Sequence, residues 1–273
     1  MNIAPAPAGP AKVRIRHLLD AMERGRPFSM LTAYDCFTAK AFEAAGIDVL
    51  LVGDSVGMTV LGYDSTTQVT QQDMLVFTAA VARSVTRPLV VADLAFGTYQ
   101  TGPEDAVRNG IELVRAGAEM VKLEGGQEVV PQVTALVQAG IPVMGHLGFT
   151  PQSVNSLSGA RVQGRDSAAA DRLAEDAITL QEAGVSALVL ELIPSELAAR
   201  ITEVVHVPTI GIGAGPDCDG QVLVWQDMAG LSGFEGRFVK TYANLRSDLQ
   251  RAASEYRDDV ETRAFPTAAH AFE

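Results

Sequence analysis

PLVVADLAF (88–96), EDAVRNGIELVRAGA (104–118) and AEMVKLEG (118–125) follow one another along the chain and read as one repeat of a fold. The first and third segments are short apolar runs, rich in valine and leucine, and each carries an acidic residue toward its far end. That is the pattern of a strand covered on both faces. The middle segment spaces its apolar residues three and four apart and stops at Gly117, the pattern of an amphipathic helix closed by glycine. Strand, helix and strand in that order predict a βαβ unit.

The same alternation extends in both directions. Upstream lie FSMLTAYD (28–35) and IDVLLVGDS (47–55); downstream lie IPVMGHLG (141–148), ALVLELIP (187–194) and VPTIGIGAG (207–215). GQVLVWQD (220–227) is a weaker eighth run, because Gln and Trp interrupt its apolar reading. Helical spacing recurs between runs, for example in AKAFEAAG (39–46) and AAADRLAEDAITLQEAG (168–184). Eight parallel strands with outer helices predict an α/β fold, a (β/α)8 TIM barrel. An open doubly wound sheet would show a phosphate-binding fingerprint after its first strand, and none is there. GIGAG (211–215) does not supply one, since Pro216 takes the place of the third glycine; tight turning explains those glycines equally well. The expected organisation is a flexible leader over 1–11 and a single barrel domain over 12–273 with a C-terminal helical extension and tail.

With 273 residues, 47% hydrophobic and 20% charged, the chain has the composition of a globular protein. Its formal charge of −12 repels a phosphate backbone and argues against a nucleic-acid partner. Carboxylates cut every apolar run well short of the ~20 residues of a membrane span. The opening MNIAPAPAGP lacks the basic and apolar regions of a signal peptide, and Cys36 and Cys218 read as free thiols, so a cytoplasmic location is expected.

Nearly every run ends in a polar or ionisable residue: Asp35, Asp54 with Ser55, Asp93, Lys122 with Glu124, His146 and Glu191. In a barrel these ends share one rim, where active sites of this fold lie. Taken singly, a strand-end carboxylate is as well explained as the cap of the next helix. Capping does not explain Glu191 between two leucines, or Lys122 and Glu124 two apart and therefore on one strand face. Asp54, Asp93 and Glu124 on three neighbouring strands present hard oxygen ligands suited to Mg²⁺; a hydrogen-bonded carboxylate network without metal is the competing reading. Lys122 suits either a fixed cation for an anionic substrate or a Schiff-base nucleophile, and the adjacent carboxylates favour the cation. His146 suits a donor to substrate oxygen or a structural role. Glu191 is the candidate base.

TAYD (32–35), LLVGDSVGMTVLGYDST (50–66), VVADLAFG (90–97), MVKLEGG (120–126), VMGHLGFTPQSVN (143–155), VQGR (162–165), LVLELIP (188–194) and IGIGAGPDCDGQVLV (210–224) occur in that order. Together with an FP..AH.F tail, they resemble the ketopantoate hydroxymethyltransferase family over about residues 12–272. The resemblance implies a magnesium-dependent TIM barrel. Such an enzyme would transfer a hydroxymethyl group from 5,10-methylenetetrahydrofolate to 3-methyl-2-oxobutanoate, giving 2-dehydropantoate for pantothenate and coenzyme A synthesis. It further implies that Asp54, Asp93 and Glu124 surround the metal, that Asp54, Ser55, Asp93 and Lys122 contact the keto acid, and that Glu191 accepts the proton. His146 is expected to face the same pocket, and the assembly to be a homo-oligomer, a decamer in this family. Tyr63, Gln226 and Ala269 depart from the family pattern, which bears on secondary contacts at the folate or subunit interface.

The chemistry expected is loss of the C3 proton to Glu191, with the enolate stabilised by Mg²⁺ and Lys122, followed by attack on the one-carbon unit. A magnesium-dependent 2-oxo-acid lyase or aldolase would form the same enolate without folate. A barrel that merely binds an acidic metabolite would show binding without proton exchange at C3.

Overall fold

A computed structural model describes residues 11–272. Residues 1–10 of the expected leader lie outside the described residues. The chain divides into two compact units, one ending at Leu223 and the other beginning at Val224.

The first unit is a closed barrel of eight parallel strands in sequence order: β1 (Phe28–Thr32), β2 (Val49–Val52), β3 (Leu89–Asp93), β4 (Met120–Glu124), β5 (Val143–Gly148), β6 (Ala187–Glu191), β7 (Thr209–Ile212) and β8 (Gly220–Leu223). β1 pairs with both β2 and β8, which leaves no free edge. Helix α1 (Ile15–Glu23) precedes the barrel, and α2 (Cys36–Ala44), α3 (Gln71–Ala82), α4 (Pro103–Ala116), α5 (Val130–Gln138), α6 (Ser167–Glu182) and α7 (Ser195–Val204) alternate with its strands. The helix expected between each pair of strands is missing once among the described residues: seven residues of loop join β7 to β8. Gly117 ends α4 at φ 113, and a side chain there would also strike Ala82.

Period-two alternation sorts each strand into an outward and an inward set. Val90, Val121, Leu123, Leu188 and Leu190 face outward and are buried beneath the helices. The inward set begins as an apolar floor of Met30, Val49, Leu51, Leu89, Val91, Met120, Met144, Ala187, Val189 and Ile210, joined by Leu18 and Ala21 of α1. Two residues further along the same faces stand Asp93, Lys122 and then Glu124, His146 and Glu191. The strand period alone therefore delivers these side chains to the carboxyl-terminal mouth.

The second unit holds a short helix α8 (Trp225–Met228) and an 18-residue helix α9 (Leu245–Thr262), in the region where a helical extension was expected. The eighth strand was expected to run to Asp227, but it stops at Leu223, and Trp225 and Gln226 belong to α8 instead. Among the described residues no helix is long and apolar enough to cross a membrane. Both cysteines are free thiols.

Candidate active site

Six of the residues singled out from sequence meet at the carboxyl-terminal end of the barrel. Asp54, Asp93, Lys122, Glu124 and His146 are all 2–4% exposed. Lys122 Nζ lies 2.9 Å from Asp93 Oδ1, and the Asp54 backbone N–H donates to Asp93 Oδ2 at 3.0 Å. His146 sits between two carboxylates, with Nδ1 3.3 Å from Glu124 Oε1 and Nε2 3.1 Å from Glu191 Oε2, neither pair aligned as a hydrogen bond. Glu191 is the least enclosed of the group, its side chain 16% exposed. Ser55 stands beside Asp54 with its hydroxyl 2.8 Å from the Tyr34 hydroxyl.

Asp35 does not join them. Its Oδ1 accepts from the backbone N–H groups of Phe37 at 2.8 Å and Thr38 at 3.0 Å, and Oδ2 accepts from the Thr38 hydroxyl at 2.8 Å. It is the N-cap of α2, as its residue type allows. Nor do the leucines beside Glu191 form its surroundings. Leu190 points outward beneath the helices, because strand neighbours face opposite ways, and the near partner of Glu191 is His146. Gly148, at the end of β5 with φ 94, lets that strand approach β6 so closely that any Cβ would collide with the Glu191 carbonyl oxygen.

Three carboxylates buried around one ammonium and one imidazole leave an excess of negative charge. Burial, with Asp93 and Glu124 nearby, pushes the Asp54 carboxyl up to about 8. Asp93 is also raised, since burial outweighs its contact with Lys122. Burial pushes Glu124 upward too, but His146, Lys122 and the Gln152 amide together hold it below its ordinary value. For Lys122 burial opposes the charge, yet Asp93, Glu124 and Asp54 more than compensate and hold its pKa above normal. Lys122 is therefore a cation rather than a free amine, which disfavours the Schiff-base reading. Burial and Lys122 both oppose charging His146, but Glu124 and Glu191 on its two nitrogens raise it to about 9. Its Nδ1 also lies 3.3 Å from Lys122 Nζ, within reach of that ammonium as well as of Glu124.

This donor set suits a hard divalent cation. Asp93 Oδ1 and Glu124 Oε1 are buried without a well-formed hydrogen bond, and the raised Asp54 carboxyl would ionise beside added positive charge. Among the described residues no three His, Cys, Asp or Glu side chains already form a metal cage. Mg²⁺ does not require one, because it retains waters and takes one or two carboxylates together with substrate oxygens.

Sequence reasoning did not single out Gln152, Tyr99 or Tyr34. Gln152 is 5% exposed and bonds to both Asp54 and Glu124; Tyr99 is 1% exposed and reaches Gln152 at 2.8 Å. All three lie beyond strand ends, where a neutral amide or phenol carries no period or spacing to mark it.

The family model described as ketopantoate hydroxymethyltransferase matches residues 12–268. A protein of Thermobifida fusca (strain YX) named 3-methyl-2-oxobutanoate hydroxymethyltransferase is 56% identical, covering 98% of both chains. One of the same name from Acidothermus cellulolyticus (strain ATCC 43068 / DSM 8971 / 11B) is 54% identical, covering 96% of this chain and 97% of its own. Among solved structures, a putative phosphonomutase from Burkholderia cenocepacia J2315 matches with a TM-score of 0.61 at 16% identity, covering 91% of this chain and 99% of its own. A phosphonopyruvate hydrolase crystallised with oxalate and Mg²⁺ matches at 0.59, also at 16% identity, over 94% and 93%. At such identities the structural likeness shows the fold alone. The full-length match to the family model and the relatives above half identity carry the assignment: the chain belongs to the ketopantoate hydroxymethyltransferase family.

Proposed function

We propose that the chain transfers a hydroxymethyl group from 5,10-methylenetetrahydrofolate to 3-methyl-2-oxobutanoate, giving 2-dehydropantoate for pantothenate synthesis. The observation that carries this reading is the cluster of Asp54, Asp93, Lys122, Glu124, His146 and Glu191 at one end of a barrel whose relatives bear that activity in their names.

The keto acid is an anion whose C3 hydrogen is weakly acidic. Lys122 offers it a fixed positive charge, and Ser55, held by Tyr34, offers a hydroxyl beside Asp54. Asp54 and Asp93, with Glu124 adjacent, would hold Mg²⁺. When bound, that ion supplies Lewis-acid polarisation of the substrate's oxygens. Glu191, more open than its neighbours, takes the proton from C3 as the enolate forms. His146 stands against the base, with its two ring nitrogens facing Glu124 and Glu191. Water adds to the methylene carbon as its two bonds to the folate nitrogens break and those nitrogens take water's protons, releasing tetrahydrofolate. C3 bonds to that carbon, and its oxygen takes the proton held by Glu191 to become the hydroxyl. The barrel end contributes orientation and a charged, water-poor setting. Residues 12–273 are read as one catalytic domain with a helical extension, assembling as a homo-oligomer, a decamer by family resemblance, in the cytoplasm.

Proton NMR of 3-methyl-2-oxobutanoate in heavy water tests the reading. Loss of the C3 proton signal that depends on both protein and Mg²⁺, followed by product on adding methylenetetrahydrofolate, is expected. Exchange without any folate-dependent product would favour a lyase or aldolase; binding with no exchange would leave only a metabolite-binding barrel.

A further inference from the structure

Gln152 uses every hydrogen-bonding valence of its side chain, although it is neutral and lies beyond a strand end. It sits in the short 3-10 turn Pro151–Ser153 after β5. Nε2 donates to Asp54 Oδ2 and to the Leu94 carbonyl, both at 2.9 Å. Oε1 accepts from the Tyr99 hydroxyl at 2.8 Å and from Gln100 Nε2 at 3.1 Å. A side-chain amide has two donors and two lone pairs, so none is left over. The backbone N–H of the same residue donates to Glu124 Oε2 at 2.9 Å.

The partners fix the directions of these bonds. A backbone carbonyl only accepts, so the amide nitrogen must face Leu94, and Asp54 Oδ2 is then an acceptor. Oε1 can only accept, so Tyr99 must give it the phenolic proton. With that proton committed, the Tyr99 oxygen accepts from the Glu124 backbone N–H at 3.2 Å. A closed ring results, running from Glu124 to Tyr99, to Gln152, and back to the Glu124 carboxylate, with Asp54 attached through the amide. Four chain segments meet in it: the ends of β2 and β4 and the connections after β3 and β5.

Like charges in a poorly screened interior repel. Ionised together, as a divalent cation between them requires, Asp54 and Glu124 repel, and the neutral Gln152 bonds to both. We propose that Gln152 is a positioning residue that fixes the Asp54 and Glu124 carboxylates in one geometry for a divalent cation before any ligand arrives. What the carboxylates hold rests on the function proposed above; the tether itself does not. Outer partners of metal-binding carboxylates commonly change affinity by ~10–100-fold, which sets the scale expected here.

The test is calorimetry of Mg²⁺ alone with wild type, Gln152→Ala and Gln152→Glu, paired with metal-free crystal structures and C3 exchange at graded Mg²⁺. Gln152→Glu keeps the size but has no N–H for Asp54 or Leu94. Both variants should bind Mg²⁺ about tenfold more weakly. The Mg²⁺ needed for half-maximal exchange should rise by the same factor while the rate at saturating metal persists, and the Asp54 carboxylate should leave its place in the crystals. Unchanged Mg²⁺ affinity with both carboxylates in place overturns the proposal even if the melting temperature falls, since that is a merely structural role. If those variants do not fold, Tyr99→Phe removes one bond to Gln152 and should give a smaller shift of the same sign; unchanged affinity there overturns it as well. A wild type that binds no Mg²⁺ also overturns it. A wild type that binds Mg²⁺ but exchanges no C3 proton overturns the proposed function alone, and the tether is still judged by affinity and by the crystals.

Discussion

The two halves of the barrel interior are built on the same strands, one step of the pleat apart, and behave as opposites. On β4 the inward column reads Met120, Lys122, Glu124; on β3 it reads Leu89, Val91, Asp93; on β5, Met144 and then His146. Both halves are almost fully buried. The lower half gains stability from burial, because its side chains leave water with nothing polar to satisfy. The upper half is buried at a cost, since each ion there loses hydration and regains it only in part from a neighbour. Enclosure thus holds the barrel together at one end and stores mutually dependent charges at the other.

The largest effect on the charged half is expected from Glu191→Gln. It should slow C3 exchange by ~10²–10⁴-fold while the keto acid still binds, as NMR exchange and calorimetry together would reveal. Normal exchange by this variant would remove Glu191 as the base. Lys122→Met should cost about 3–5 kcal/mol in urea unfolding of the metal-free protein, because it leaves Asp93 buried and unpaired. Adding Asp93→Asn should restore much of that stability without restoring activity. If the double variant is no more stable than the single one, the ion pair is not what stabilises the upper half.

Two residues down the same strand, Met120→Ala should cost ~2–5 kcal/mol through the cavity it leaves, yet exchange per folded molecule should not change. A fall in that specific rate would show that the floor and the mouth are coupled. His146 supplies a pH test. Its pKa is raised from 6.5 to about 9, so the stability it contributes is fully present below pH 6.5 and lost as pH rises toward about 9. The stability difference between wild type and His146→Gln, measured without metal, should shrink across that window; a constant difference would mean the ring is not charged. The smallest effect expected is that of Asp35→Ala, which should cost ~0.5–2 kcal/mol as a lost helix cap and leave exchange intact. Loss of exchange would return Asp35 to the functional cluster.

Much of this layout can be read before folding. Valine-rich runs interrupted by helical spacing give the eight strands and their order, and the acidic or basic residue at the end of each run gives the mouth. The weakest run, at residues 220–227, was cut short where Trp225 begins a helix. Asp35 looked like the other strand-end carboxylates, because a cap and a ligand require the same residue type and differ only in what comes within reach. Glu191 was singled out for its leucine neighbours, whereas the structure places His146 against it.

The barrel and the ionisable groups on its inward faces are legible in the linear chain, since both follow from periodicities of two and about four residues. Folding in three dimensions sets which charges face one another, puts His146 between two carboxylates, and closes the ring of Gln152 and Tyr99 around Asp54 and Glu124. Those are contacts between residues 22 to 98 positions apart along the chain. They depend on strand register and loop path, which closure of the sheet sets and no local pattern encodes.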